Sequence, residues 1–227
     1  MKENLLIGLS TLIIGWILGI LSNVINDRLK RKSSKRDVII GIQSELTELQ
    51  IHLSSVSLRS VCLSGEFNKE FFDWVKPYFL NSFKSADSVI PKEMLNKIPD
   101  ITKLEDETLF TLMKTALERA PNQNNNSTFT YQNISIPFID SKITEISLLN
   151  VEVQQLLFVL KRDTNFLNND IDQIWFFNSK TYNEPSEKNL AILNTNIFNL
   201  YSRIGRRSKT VVNNIDKILE LIKNLSK

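Results

Sequence analysis

The chain has 227 residues, 42% of them hydrophobic and 23% charged, with only 6 Gly and 6 Pro. This suits one domain of about 150 to 190 residues plus a further segment, and excludes a chain that is disordered throughout. The formal charge is +3, but removing Arg28, Lys30, Arg31, Lys32, Lys35 and Arg36 turns it into −3. Charge this concentrated points to a local electrostatic task and not to a surface coated for nucleic acid, which is not an expected partner.

From Leu5 to Ile25 the sequence reads LLIGLSTLIIGWILGILSNVI, without a charged residue. As a helix this stretch reaches about 31 Å, the thickness of a bilayer's hydrocarbon layer. The flanks give an orientation: Lys2 stands before the stretch, while six basic residues follow within Arg28 to Arg36. Basic residues stay on the cytoplasmic side, so residues 1–27 are expected to form a single-pass anchor in the cell membrane, N-terminus outside. A cleaved signal peptide places its charge before the apolar run and small residues after it, the reverse of what is found. Residues 28–37 then form a basic juxtamembrane segment, and 38–227 a cytoplasmic helical domain.

Within the anchor, Gly8, Thr11, Gly15, Gly19 and Ser22 recur at steps of three and four, which puts them on one helical face. Close backbone packing drives helix association in lipid, so this face predicts self-association. Arg28, Lys30, Arg31, Lys32, Lys35 and Arg36 have two readings: they fix topology, or they also hold anionic headgroups.

Past the basic run, Ile39, Ile42, Leu46, Leu49, Leu53, Val56 and Leu63 repeat at helical spacing, with Ser60 the polar exception. His52 falls on the polar side of this helix and has no partner at helical spacing. Ser64-Gly65 supplies the stop. Next, Phe67, Phe71, Phe72, Trp74, Tyr78, Phe79 and Phe83 crowd one segment that Pro77 is expected to kink or break. Rings with so much area to bury read first as core and second as a binding surface.

A short helix is expected over 92–98, and a capping box at Thr102 and Glu105 opens another that ends at Pro121. The polar run 122–128 reads as an exposed loop, and 129–139 as loosely alternating and extended. Asp140-Ser141 is expected to cap a brief helix to Ser147. Asn150 then caps a long one carrying Val153, Leu156, Leu157, Leu160, Leu167, Ile171 and Ile174. A final helix of up to about 38 residues carries Leu190, Leu193, Ile197, Leu200, Ile204, Val211, Ile215, Ile218 and Ile222. Three long amphipathic helices imply an all-α, antiparallel, coiled-coil-like bundle behind the transmembrane helix.

Signs of chemistry are scarce. One Cys and one His exclude an internal disulfide and the common zinc sites. The chain has no phosphate-cradling glycine motif, nucleophile elbow or zinc-protease motif. Asp170 and Asp172 point to different faces and read as solvated acids, and Glu105, Asp106 and Glu107 suit a helix first turn. No catalytic, cofactor-binding or metal-ligating residue is therefore expected. The basic cluster of Arg203, Arg206, Arg207 and Lys209 reads as a solvated face or a contact for an acidic partner.

The stretch FIDSKITEISLLNVEVQQLLFVLKRDTNFLNND, residues 138–170, follows the anchor and its basic stop. In this it resembles uncharacterised bacterial and archaeal membrane-anchored helical proteins, in which a short helix and a leucine-containing corner precede a long helix. That resemblance implies architecture and assigns no activity. Three functions stay open: a non-enzymatic, membrane-tethered interaction or scaffold module with an unknown cytoplasmic partner; a membrane-acting effector in stress or phage defence, assembling through its anchor; and an enzyme with an acid-based site.

Overall fold

A computed structural model describes the backbone of residues 2–86, 104–119, 131–182 and 186–225, and the side chains of 29–81, 104–115, 131–182 and 186–224. Six α-helices lie in these segments, with no strand among the described residues: α1 Lys2–Leu63, α2 Lys69–Ala86, α3 Asp106–Arg119, α4 Pro137–Ser141, α5 Val151–Thr181 and α6 Glu187–Leu225. A 3-10 turn, Glu145–Leu148, links α4 to the corner before α5. The all-α class read from the sequence is what the backbone shows.

The transmembrane reading finds no support among the described residues, none of whose helices is long and apolar enough to cross a membrane. The side chains of residues 1–28 lie outside that set, and with them Gly8, Thr11, Gly15, Gly19, Ser22 and Arg28. The helix expected over 92–98 and the loop at 122–128 are also outside it.

α6 packs against both other long helices. Ser57 on α1 donates to the Gly205 carbonyl of α6 at 2.7 Å, and Gln50 reaches Asp216 further along. As α1 is retraced from 57 to 50, α6 advances from 205 to 216, so the two are antiparallel. The pairings of Arg203 with Asp170 and of Arg207 with the Phe166 carbonyl set α5 antiparallel to α6 in the same way. The shared core runs from Ile42, Leu46 and Leu53 through Leu157, Leu160 and Ile171 to Ile204, Ile215 and Ile222, all essentially buried.

Small residues line the contact of α1 and α6 around Gly205. A Cβ built on Gly205 would stand 2.7 Å from Val61 Cγ2 and 3.3 Å from the Val61 amide nitrogen, so only glycine fits without a shift. Ser54, Ser57 and Ser60 on α1 and Ser202 and Ser208 on α6 are buried. Small side chains let the two backbones come together.

Gly65, at φ 68°, ends α1 as the sequence predicts. The Glu66 amide bonds the Val61 carbonyl at 2.9 Å, the 6→1 bond of a Schellman stop. α2 then folds back along α1 and α6. Its Trp74 Nε1 donates to Asn213 at 2.9 Å, and its Tyr78 hydroxyl donates to Asp216. These two bonds flank Pro77, and α2 runs through that residue unbroken to Ala86, so of the expected kink or break the break is absent. Phe71, Phe72 and Val75 form a second core with Val61, Leu109 and Met113, so the aromatic segment is mainly core.

The chain before α5 also departs from the sequence reading. Residues 131–136 have no regular secondary structure, and α4 begins at Pro137 instead of being capped by Asp140-Ser141. The cap comes from across the fold: Glu45 on α1 accepts from the Phe138 and Ile139 amides at 2.7 and 2.8 Å. Phe138 itself lies over Gly41, where a Cβ would be 2.0 Å from its Cζ. Asn168 on α5 binds both backbone groups of Ile134 at 2.8 Å, clamping this segment to α5.

Candidate functional site

The basic cluster on α6 is divided between two faces of the helix. Arg203 and Arg207, one turn apart, reach Asp170 on α5, each with a nitrogen 2.7 Å from a carboxylate oxygen. The Asp170 side chain is only 3% exposed, against 42% and 39% for the two arginines. The sequence reading of Asp170 as solvated is thus corrected. One turn of α5 brings it under α6 while Asp172 remains outside, near Asn133. Arg203 also donates to Gln173 at 3.0 Å, and Arg207 to the Phe166 carbonyl at 3.0 Å. One carboxylate facing two guanidiniums leaves a net positive charge at this edge.

Arg206 and Lys209 face the α1–α2 turn instead. Arg206 Nη2 donates to the Ser202 hydroxyl at 2.9 Å, which in turn donates to Glu66 at 2.6 Å. Lys209 Nζ lies 5.4 Å from the Trp74 ring centre and 3.7 Å from Glu70. The shallow cleft here, floored by Val61, Gly205 and Phe71, is rimmed by Glu66 and Glu70 as well as by the two cations. Its charges balance, which gives no preference for an anion.

Near the C-terminal end of α1, Ser60 and Tyr131 are buried, with Cys62, Tyr201 and the Arg59 guanidinium half-buried beside them. The Tyr131 and Ser60 hydroxyls are 2.9 Å apart, and the Tyr131 ring lies 6.0 Å from that of Tyr201. Burial pushes the Tyr131 phenol and the Cys62 thiol each up to about 12, and raises Tyr201 as well. A thiol so shifted is a poor nucleophile near neutral pH. His52 is exposed on α1, as its place in the helical repeat predicts. Among the described residues no group of three or more His, Cys, Asp or Glu is placed to hold a metal ion.

Of the cations between Arg28 and Arg36, Lys30, Arg31, Lys32 and Arg36 are exposed and Lys35 half-buried, all on the continuous helix α1. The sequence reading missed a second apolar stripe, on the outer side of α5. Val151, Phe158, Phe166 and Phe176 are 65%, 51%, 47% and 56% exposed. Arg207 lies 5.5 Å over the Phe166 ring and Lys180 5.4 Å over that of Phe176. The signal was present in the sequence, because these four residues recur at whole-turn spacings opposite the core stripe. No family model, curated protein or solved structure matches the chain.

Proposed function

We propose that the protein is a non-enzymatic, single-pass membrane-tethered interaction module, its N-terminus outside the cell and its helical domain in the cytoplasm. One observation carries the reading: α1 is unbroken from Lys2 to Leu63, so the uncharged stretch Leu5 to Ile25 and a wall of the bundle are one helix. An anchor continuous with the core holds the domain at a fixed height and orientation. From Ile25 to Val38, the first described residue to be buried, the helix rises about 20 Å as a stalk.

The stalk's cations suit a headgroup collar. At about 100° per residue, Arg28, Lys30, Arg31, Lys32, Lys35 and Arg36 fan over about 240° of the circumference. A helix lying flat on a membrane segregates its cations opposite an apolar face, whereas here Leu29 is the one apolar residue between Arg28 and Arg36. The partners proposed are the bilayer with its anionic headgroups, a second copy through Gly8, Thr11, Gly15, Gly19 and Ser22, and a cytoplasmic protein.

Alkaline carbonate extraction of cells expressing the full chain tests the tether; the protein should stay in the membrane pellet, and its release into the supernatant overturns the proposal. A reporter fused after Lys227 should be active only in the cytoplasm. Crosslinking of the native chain against Gly15→Ile plus Gly19→Ile tests the second copy, which equal yields would rule out. Affinity purification from solubilised membranes should recover a reproducible partner.

A further inference from the structure

We propose that two copies of the chain lie side by side along the outer face of α1, parallel and in register, from the stalk up to Ser55. This rests on the reading of α1 as an anchor continuous with the bundle, and carries the self-contact beyond the anchor. At about 100° per residue Leu29, Ser33, Ile40, Ser44 and Ser55 fall within a sector of about 80°. Positions 8, 11, 15, 19 and 22 of the same unbroken helix occupy that same sector. All five of the first group are exposed, Leu29 at 60% and Ile40 at 53%.

The bundle leaves this side of α1 open. Gly41, Glu45, Gln50 and Ser57, through which α1 meets α4 and α6, lie at least about 80° from the centre of the sector. The face repeats every 11 residues, with Thr11, Ser22, Ser33, Ser44 and Ser55 in one row and Leu18, Leu29, Ile40 and Ile51 beside it. An 11-residue period winds paired helices into a right-handed supercoil. Contacts of the Gly15-x-x-x-Gly19 type are right-handed too, so one pairing can run through anchor and stalk without a change of hand.

Anchoring fixes the geometry: every copy leaves the bilayer in the same direction and at the same residue, so like positions meet at like heights. The two copies are then related by a twofold axis parallel to α1, and each flank of the stripe faces the opposite flank of the other copy. Arg36 and Asp37, both exposed, stand on opposite flanks, about 100° apart. Arg36 of each copy therefore comes opposite Asp37 of the other, a complementary contact made twice. Arg31, Lys32 and Lys35 lie at least about 80° from the stripe's centre, which keeps their charges out of the seam. Other occupants fit less well. Asp37 and Glu48, exposed beside the stripe, oppose nucleic acid, and Ile40, about 22 Å along the helix from Ile25, is out of reach of the bilayer.

The test uses the full chain with Cys62→Ala in isolated membranes, carrying one new cysteine at a time and oxidised with copper phenanthroline. Disulfide-linked dimers should form from Ser33→Cys, Ile40→Cys and Ser44→Cys. Their yield should be at least about fivefold above that of Arg31→Cys and His52→Cys, which are exposed but off the stripe. In the Ser44→Cys background, Asp37→Arg should lower the yield at least about threefold, and Arg36→Asp added to it should restore the yield. Equal linking at all five positions, no linking at the three stripe positions, or an unchanged yield with Asp37→Arg would each overturn the proposal. Carbonate extraction of the same chains separates the two readings. Failure to link in a chain retained in the membrane pellet overturns the seam alone, while release into the supernatant overturns the tether and the seam with it.

Discussion

Asp170 and Arg203 meet at 2.7 Å across the α5–α6 interface, the acid nearly buried and the base half in water. Arg207 meets the other carboxylate oxygen at the same distance. Removing the charge of Asp170 leaves two guanidiniums facing each other over an apolar seam. We expect Asp170→Asn to cost about 2 kcal/mol, less than a fully buried pair because both arginines can take up water. For a domain of this size that lowers the melting temperature by about 4–8 °C. Arg206→Gln, on the exposed side of α6, should cost under about 1 kcal/mol. Circular-dichroism melts of the solubilised full chain check both values. Equal shifts would mean that the Asp170 pairing contributes no more than the exposed Arg206 does.

Glu45 ties the start of α4 to α1 with two charge-assisted bonds, to the Phe138 and Ile139 amides. Neither donor has a carbonyl of its own helix to turn to, as both lie in the first turn. Glu45→Ala should therefore cost about 1–3 kcal/mol and loosen α4 before the rest of the bundle. Hydrogen exchange resolved to residues 131–149 measures this. Unchanged protection of the Phe138 and Ile139 amides would show that Pro137 alone sets the helix start.

Apolar spacing made the three long helices legible in advance. Ile42, Leu46 and Leu53 on α1, and Ile204, Ile215 and Ile222 on α6, are the positions that helical periodicity picks out, and all are buried. Asn150 caps α5 as its residue type suggests, accepting from the Glu152 amide at 2.6 Å. Local signals failed where a distant residue decides the matter. The α4 cap comes from a carboxylate 93 positions away, which no neighbouring residue announces. Asp170 looks like any acid on a helix until α6 supplies two arginines to cover it. The outer phenylalanines of α5 are masked in the sequence by the stronger core stripe of the same helix.

At the α1–α6 crossing, Gly205 has room for a hydrogen and no more. Gly205→Ala gains about 1 kcal/mol in helix propensity but forces the added methyl against Val61, which costs about 1–3 kcal/mol in a packed core. The net effect should be a loss of stability. Adding Val61→Ala removes the Cγ2 atom that would lie 2.7 Å from the new methyl, while leaving the backbone contact at 3.3 Å. A double-mutant cycle in urea should thus show favourable coupling of about 1 kcal/mol between the two substitutions. Strict additivity would mean that α1 and α6 simply move apart.

Alkaline pH should weaken the fold through the group around Tyr131. Its phenol is raised by burial from 10.0 to about 12, and the Cys62 thiol from 9.0 to about 12. A raised pKa means that the native state holds the proton more tightly than the unfolded chain does. This contribution is fully present below the unfolded values and is lost as pH climbs towards about 12. Between the two limits each group can cost up to about 1.4 kcal/mol per pH unit. Cys62→Ala should therefore delay the decline that begins near pH 9, and Tyr131→Phe should flatten the part above pH 10. Near pH 8, Tyr131→Phe should cost about 1 kcal/mol, through loss of the hydroxyl contact with Ser60. Urea midpoints measured from pH 8 to pH 11 separate the two effects. An alkaline slope identical in the native chain and in both variants would place the titrating groups elsewhere, with Tyr201 the first to examine, since burial raises its phenol too.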